Sequence, residues 1–199
     1  DEHDEEKNNF KEVLETLQEF IDEGKVRYVG LSNETPWGTM SYLKLSEMHG
    51  LPRMQSVQNP YSLLNRSYEA GLSEISLREK VGLLAYSPMA GGYLSGKYFR
   101  GAHQPRARFN LFKGFNRYGA PQGEAAAREY VALADKYSVP PGTMALAYVN
   151  SRDFVTSNII GATSMAQLKE DIASVDYELP VELEEAIEAI HTRYPYPAP

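Results

Sequence analysis

The strongest constraint on this chain is an alternation of short apolar runs with amphipathic segments of helical period. Residues 25–31, 54–58, 81–86 and 154–160 are β-branched, aromatic or apolar enough to read as strands. Phe10, Val13, Leu14, Leu17, Phe20 and Ile21 recur at three- and four-residue spacing, and Gly24 stands where such a helix would stop. Residues 37–49, 67–79, 123–137, 141–150, 164–174 and 180–191 read as further helices. Pro140 and Pro141 are placed to start one of them, and Leu183, Ile187 and Ile190 line one face of another. Strands separated by helices pair in parallel, and parallel sheets have their faces covered by those helices. The expected fold class is α/β.

Polar, amide-bearing stretches stand at the ends of these strands. They are Gly30-Leu31-Ser32-Asn33-Glu34-Thr35-Pro36-Trp37-Gly38, Gln58-Asn59-Pro60-Tyr61, Tyr86-Ser87-Pro88-Met89 and Gly161-Ala162-Thr163-Ser164-Met165-Ala166-Gln167-Leu168. The carboxyl ends of parallel strands are where barrel and doubly wound proteins hold small ligands. Ser32 and Asn33 offer a hydroxyl and an amide, a mixture of donors and acceptors, although such a pair also caps the helix that follows. Tyr86, one of 14 tyrosines, reads either as a stacking platform or as a core residue. Ser87, Pro88, Met89, Ala90 and Gly91 form a loop of mostly small residues whose amide hydrogens suit close approach by a phosphate. Lys97 and Arg108 bring positive charge to it, or are simply solvated. Residues 161–171 read as a strand end, a glycine turn and a helix start, with amide hydrogens converging near Thr163 and Ser164. Residues 87–123 are rich in Gly, Pro, Arg and aromatics and have no clean period, the mark of a functional or disordered connection.

Composition removes several rival chemistries. The 199 residues are 42% hydrophobic and 24% charged, a balance suited to one globular domain over 1–199. A net charge of −7 argues against a nucleic-acid partner, and the acidic run from Asp1 to Glu6 reads as a solvated end. Without cysteine there is neither a disulfide nor a thiolate, which fits a reducing compartment such as the cytoplasm. No apolar run approaches the roughly 20 residues of a membrane span, and the start is acidic, unlike a leader. His3, His49, His103 and His191 have no metal-ligand spacing. Gly-x-Ser-x-Gly and Walker-type motifs do not occur. A chain that begins at Asp1 suggests that an upstream segment is missing.

In order and character the four stretches resemble the aldo-keto reductase family, in the branch that includes Tas-like bacterial proteins and the potassium-channel β subunits. The tail Tyr194-Pro195-Tyr196-Pro197-Ala198-Pro199 is similar to a Tas-like ending. The resemblance runs from about Phe10 to Pro199 and implies a parallel (β/α)8 barrel of TIM type, of which this chain holds about four β/α units and lacks the N-terminal half. It implies that NADP(H) is bound, with Ser32, Asn33 and Gln58 orienting the nicotinamide carboxamide and Tyr86 lying against the ring. Ser87, Pro88, Met89, Ala90, Gly91, Lys97 and Arg108 would close over the phosphates, and Gly161, Thr163, Gln167, Glu170 and Asp171 would meet the adenosine end. Many NADPH-preferring members carry Lys where Gly161 stands and Arg where Gln167 stands. The 2′-phosphate clamp is thereby less obvious, so NAD(H) stays open as a cofactor. Asp171 also replaces an Asn usual in the family.

The family's catalytic Asp, Tyr, Lys and His match no position here, and neither Tyr61 nor Tyr86 is assigned to the vacancy. The resemblance implies an oxidoreductase that reduces an aldehyde or ketone, with this chain supplying the cofactor-binding half and not the tetrad. The alternatives are a non-catalytic nucleotide-binding or assembly module, or a truncated product without activity. Two strand edges left unpaired would also favour self-association.

Overall fold

A computed structural model describes residues 9–101, 107–111 and 117–198, without the side chain of Arg108. Helix α1 (Phe10–Asp22) turns its apolar stripe onto the core and ends at Gly24, whose φ of 71° suits glycine. Strand β1 (Val29–Ser32) is shorter than the expected 25–31. The amides of Lys25 and Val26 bond back to the Phe20 carbonyl at 3.0 and 3.2 Å, which closes the helix end and delays pairing. Helix α2 (Pro36–His49) starts under a Thr35 cap that accepts from the Gly38 amide at 3.1 Å, and it stops at Gly50, φ 62°.

Strand β2 (Met54–Pro60) leads into a 3₁₀ turn (Ser67–Ala70) and helix α3 (Leu72–Glu79). One helix was expected over 67–79. The chain instead breaks at Gly71, after a tight turn in which Arg66 and Glu69, three residues apart, form a bidentate ion pair. Such spacing eclipses side chains in a 3₁₀ turn. Strand β3 (Gly82–Tyr86), short α4 (Arg108–Leu111), α5 (Pro121–Lys136), α6 (Pro141–Asn150), β4 (Val155–Asn158), α7 (Met165–Ala173) and α8 (Val181–Arg193) follow. The described parts of the aperiodic 87–123 segment, residues 87–101, 107–111 and 117–123, are more ordered than their sequence suggests. Its 3₁₀ turn (Ala90–Ser95) and α4 are joined by Tyr93, Tyr98 and Phe109, whose ring centroids lie 4.6 to 5.9 Å apart. This aromatic packing takes the place of a periodic apolar stripe.

The four strands form one parallel sheet in the order β1-β2-β3-β4, so β1 and β4 are its edges among the described residues. Register partners Leu31, Val57 and Leu83 share one face, as do Asn59 and Ala85, and Val57, Asn59, Leu83 and Ala85 are buried there beneath the helices. Ser32, Gln58 and Leu84 share the opposite face, as do Pro60 and Tyr86, and these five are exposed or half-buried. Among the described residues, the expectation of helices over both faces is met on one face only. Helix α6 is buried from Gly142 to Val149, as suits a segment apolar on all sides. Around its end, buried Arg66 bonds Glu69 through two nitrogens and Glu188 of α8 through a third, each at 2.7 Å. The Arg66 and Arg152 guanidinium groups both lie over the Tyr148 ring, at 5.3 and 4.5 Å. No described helix is long and apolar enough to cross a membrane.

Candidate active-site surface at the strand ends

The carboxyl ends of β1, β2 and β3 bring four of the sequence-selected residues together. Asn33 follows β1 in a left-handed conformation, φ 54°, and its amide continues the ladder by donating to the Gln58 carbonyl at 3.0 Å. That conformation is open to asparagine at modest cost, and it turns the side chain back across the sheet end. Tyr86 donates from its hydroxyl to Asn33 Oδ1 at 2.7 Å, and Asn33 Nδ2 donates to Ser32 Oγ at 3.3 Å. Gln58 is the register partner of Ser32 and is exposed beside it. Two ambiguities of the sequence are thereby removed. Thr35, not Ser32 or Asn33, caps α2, and Tyr86 is a half-buried site-facing residue rather than a core one.

The loop after β3 is built from left-handed residues: Ser87, Ala90, Gly91 and Gly92 have φ of 56°, 48°, 62° and 98°. Its amides are less available than the sequence suggested. Ala90 and Gly92 donate to the carbonyls of Ser87 and Met89, both at 2.8 Å, and Pro88 has no amide hydrogen. Pro88 and Ala90 are buried, so Ser87, Met89 and Gly91 present the loop's surface. Lys97 folds back over Gly92, where a β-carbon would collide with its side chain, and its ammonium stands 5.2 Å from the Tyr98 ring. Burial draws its pKa below the ordinary lysine value. Arg108 begins α4, and its side chain lies outside the described residues.

The turn before α7 closes on itself. Ser164 Oγ accepts from the Gln167 amide at 3.3 Å, while Gln167 Oε1 accepts from the Thr163 amide and hydroxyl at 2.8 and 2.9 Å. This reciprocal capping occupies one of the amide hydrogens expected to meet an anion. A β-carbon at Gly161 would meet nothing within 4 Å, so the space beside this turn is open. Glu170 and Met89 both approach Gly142 at the start of α6: a β-carbon there would sit 2.9 Å from Met89 Cε and 3.3 Å from Glu170 Oε1. The loop after β3 and helix α7 thus adjoin through the start of α6. Asp171 is half-buried, and burial with the neighbouring charge of Glu170 raises its carboxyl pKa.

One residue of the second stretch has a role the sequence did not disclose. Asn59, buried on the helix-facing side of β2, accepts from the Glu34 amide at 3.2 Å and donates to the Glu34 carbonyl at 3.1 Å. The available signal was a carboxamide two residues after Val57, in the phase of the strand's apolar side.

Comparison with known proteins identifies the family. The family model of the aldo/keto reductase family matches residues 2–192. The chain is 48% identical over 188 residues to Protein tas of Escherichia coli (strain K12), covering 94% of this chain and 54% of that protein. It is 38% identical over 168 residues to an aldo-keto reductase of Babesia bovis, covering 81% and 59% of the two chains. It is 29% identical over 171 residues to L-glyceraldehyde 3-phosphate reductase of Escherichia coli (strain K12), covering 83% and 49%. The chain spans about half the length of the curated relatives it matches. With a parallel α/β sheet, a polar site at its strand ends and a family match over nearly its whole length, this chain belongs to the aldo/keto reductase family.

Proposed function

We propose that this chain forms the cofactor side of an oxidoreductase site that takes NADP(H) or NAD(H) and reduces an aldehyde or ketone. The observation that carries the reading is the relay from Tyr86 through Asn33 to Ser32, with Gln58 exposed alongside, on the open face at the ends of three adjacent strands. A nicotinamide carboxamide has one acceptor and two donors, and the Ser32 hydroxyl with the Asn33 and Gln58 amides offers the matching set. When bound, the nicotinamide supplies the hydride for carbonyl reduction. Tyr86 fixes the plane against which the ring lies, and its hydroxyl proton is already committed to Asn33. The proton for the carbonyl oxygen therefore comes from another group. In this reading it belongs to residues outside these 199, and the chain is the C-terminal part of a (β/α)8 barrel, with about four β/α units and residues 87–123 as a loop over cofactor and substrate.

Gly91 and Gly92 permit the turn that brings Ser87, Met89 and Lys97 to one rim, and Gly161, Thr163, Gln167, Glu170 and Asp171 form the other. The first rim suits the phosphates, and the second suits the adenosine. Gln167, whose Oε1 is taken by Thr163, stands at this rim with no arginine at its position to hold a 2′-phosphate. The absence of cysteine fits work in a reducing compartment such as the cytoplasm.

Isothermal titration of the chain with NADPH and with NADH tests this. Saturable binding with no oxidation of NADPH in the presence of 4-nitrobenzaldehyde is the expected result. Turnover by the chain alone would place the proton donor inside it, and a folded chain that binds neither nucleotide would overturn the cofactor reading.

A second reading, a nucleotide-binding assembly module, draws on the two sheet edges left open at β1 and β4 among the described residues. Sedimentation equilibrium decides it: stable self-association together with cofactor binding and no turnover favours assembly.

A further inference from the structure

We infer that Asn59 is the positioning residue of the carboxamide-binding pair, an inference that rests on the cofactor reading above. The Asn59 carboxamide meets the main chain of Glu34 on both sides, accepting from its amide at 3.2 Å and donating to its carbonyl at 3.1 Å. A side-chain amide here imitates a neighbouring strand. It adds a rung beyond the last backbone bond of the β1–β2 ladder, the one from the Asn33 amide to the Gln58 carbonyl. Asn33 is consequently pinned at its own amide and at the residue that follows it. Those two attachments hold its left-handed turn, φ 54°, which aims its carboxamide at Tyr86 and Ser32.

The phase of β2 divides the labour. Gln58 faces the open side, where a ligand would lie, and Asn59 faces the buried side, at 9% exposure. Asn59 touches none of the atoms a cofactor would meet. Its effect passes through the Glu34 backbone to Asn33. An apolar residue of the same volume would satisfy the core and leave both Glu34 groups without their partner. Asn33 would then relax toward the negative φ that most residues prefer, and the Tyr86 bond would be lost.

Asn59→Leu, with Asn59→Ser as a smaller polar variant too short to span the gap, separates positioning from mere stability. Two probes are titrated: NADPH, and 2′,5′-ADP, which carries the adenosine and phosphates but no nicotinamide. The expected result is an NADPH affinity about tenfold weaker, the equivalent of losing the oriented carboxamide contacts, with 2′,5′-ADP affinity unchanged. Hydrogen exchange gives a reading that does not involve the cofactor. The amides of Asn33 and Glu34 exchange faster in both variants, while those of Val57 and Leu83 keep their protection. Equal losses for both probes, or unchanged exchange at Asn33 and Glu34, would overturn the inference. Failure of the unmodified chain to bind either NADPH or NADH would overturn the cofactor reading and the positioning role with it, and the exchange data would still show whether Asn59 clamps the turn.

Discussion

The Tyr86 hydroxyl and the Asn33 side-chain oxygen, 53 residues apart in the chain, are joined by a 2.7 Å hydrogen bond across the ends of β1 and β3. β2 lies between these strands, so the bond spans an entire strand at the rim of the sheet. Only the long reach of tyrosine and the left-handed turn at Asn33 permit it.

Tyr86→Phe keeps the ring and removes the bond. Because Asn33 is exposed, water replaces the lost donor and stability falls by no more than about 1 kcal/mol in urea denaturation. NADPH affinity falls several-fold by calorimetry, and Tyr86→Ala, which also removes the stacking surface, weakens it further. Equal affinities for the phenylalanine variant and the unmodified chain would remove the hydroxyl from the site.

Arg66→Ala strikes the most buried ion pair of the described residues. Glu69 would lose a bidentate partner and Glu188 a third contact, while Tyr148 would lose one of the two cations over its ring. Removing one member of such a pair costs about 3 kcal/mol or more, read from the urea midpoint. A loss below about 1 kcal/mol would mean that solvent reaches the cluster.

The same cluster sets an acid limit. Burial disfavours the Glu69 carboxylate, but hydrogen bonds from Arg66 and Tyr61 outweigh it and hold the pKa below its ordinary 4.5. A depressed carboxylate stabilises the fold above its unfolded value, and that contribution is lost as pH falls through the folded value. His191 is shifted down as well, by burial and by the charge of Arg66, so its contribution begins to fall as pH drops below about 6.5. Stability measured against pH should decline in two stages. Glu69→Gln is expected to flatten the stage below pH 4.5, and His191→Phe the one above it. A single transition unaffected by either change would refute the assignment.

Gln167→Ala opens the reciprocal cap before α7. The Thr163 amide and hydroxyl lose their shared acceptor, and the helix start weakens by about 1 kcal/mol. Hydrogen exchange at Thr163 to Leu168 should rise while α6 stays protected. Unchanged exchange would show that the Ser164 cap alone suffices.

Gly92→Ala tests the loop after β3. With φ at 98° and the Lys97 side chain over the position, alanine is strained and must also displace that lysine. The melting temperature should drop by several degrees, corresponding to about 1 kcal/mol or more. An unchanged melting point would mean that the loop turns another way.

Most element boundaries were legible because they rest on local chemistry. The apolar stripe of α1 with Gly24 behind it and Pro141 at the start of α6 act within a few residues of themselves, and the structure uses each as the pattern implied. The grouping of Ser32, Asn33, Gln58 and Tyr86 was anticipated for a similar reason: strand ends in a parallel sheet lie side by side. Where the sequence misled, the competing partner was distant or unpatterned. The amides of Lys25 and Val26 were drawn to the Phe20 carbonyl, Arg66 found Glu69 and Glu188, and the rings of Tyr93, Tyr98 and Phe109 packed together where the sequence has no period. Alternation by itself determined a parallel α/β sheet with polar residues at its carboxyl ends. Only the tertiary structure decided that Asn59 braces Glu34, that Asn33 answers Tyr86 and that Thr35 caps α2, because a side-chain amide has no period and its partner is set by which backbones the folded sheet brings within about 3 Å.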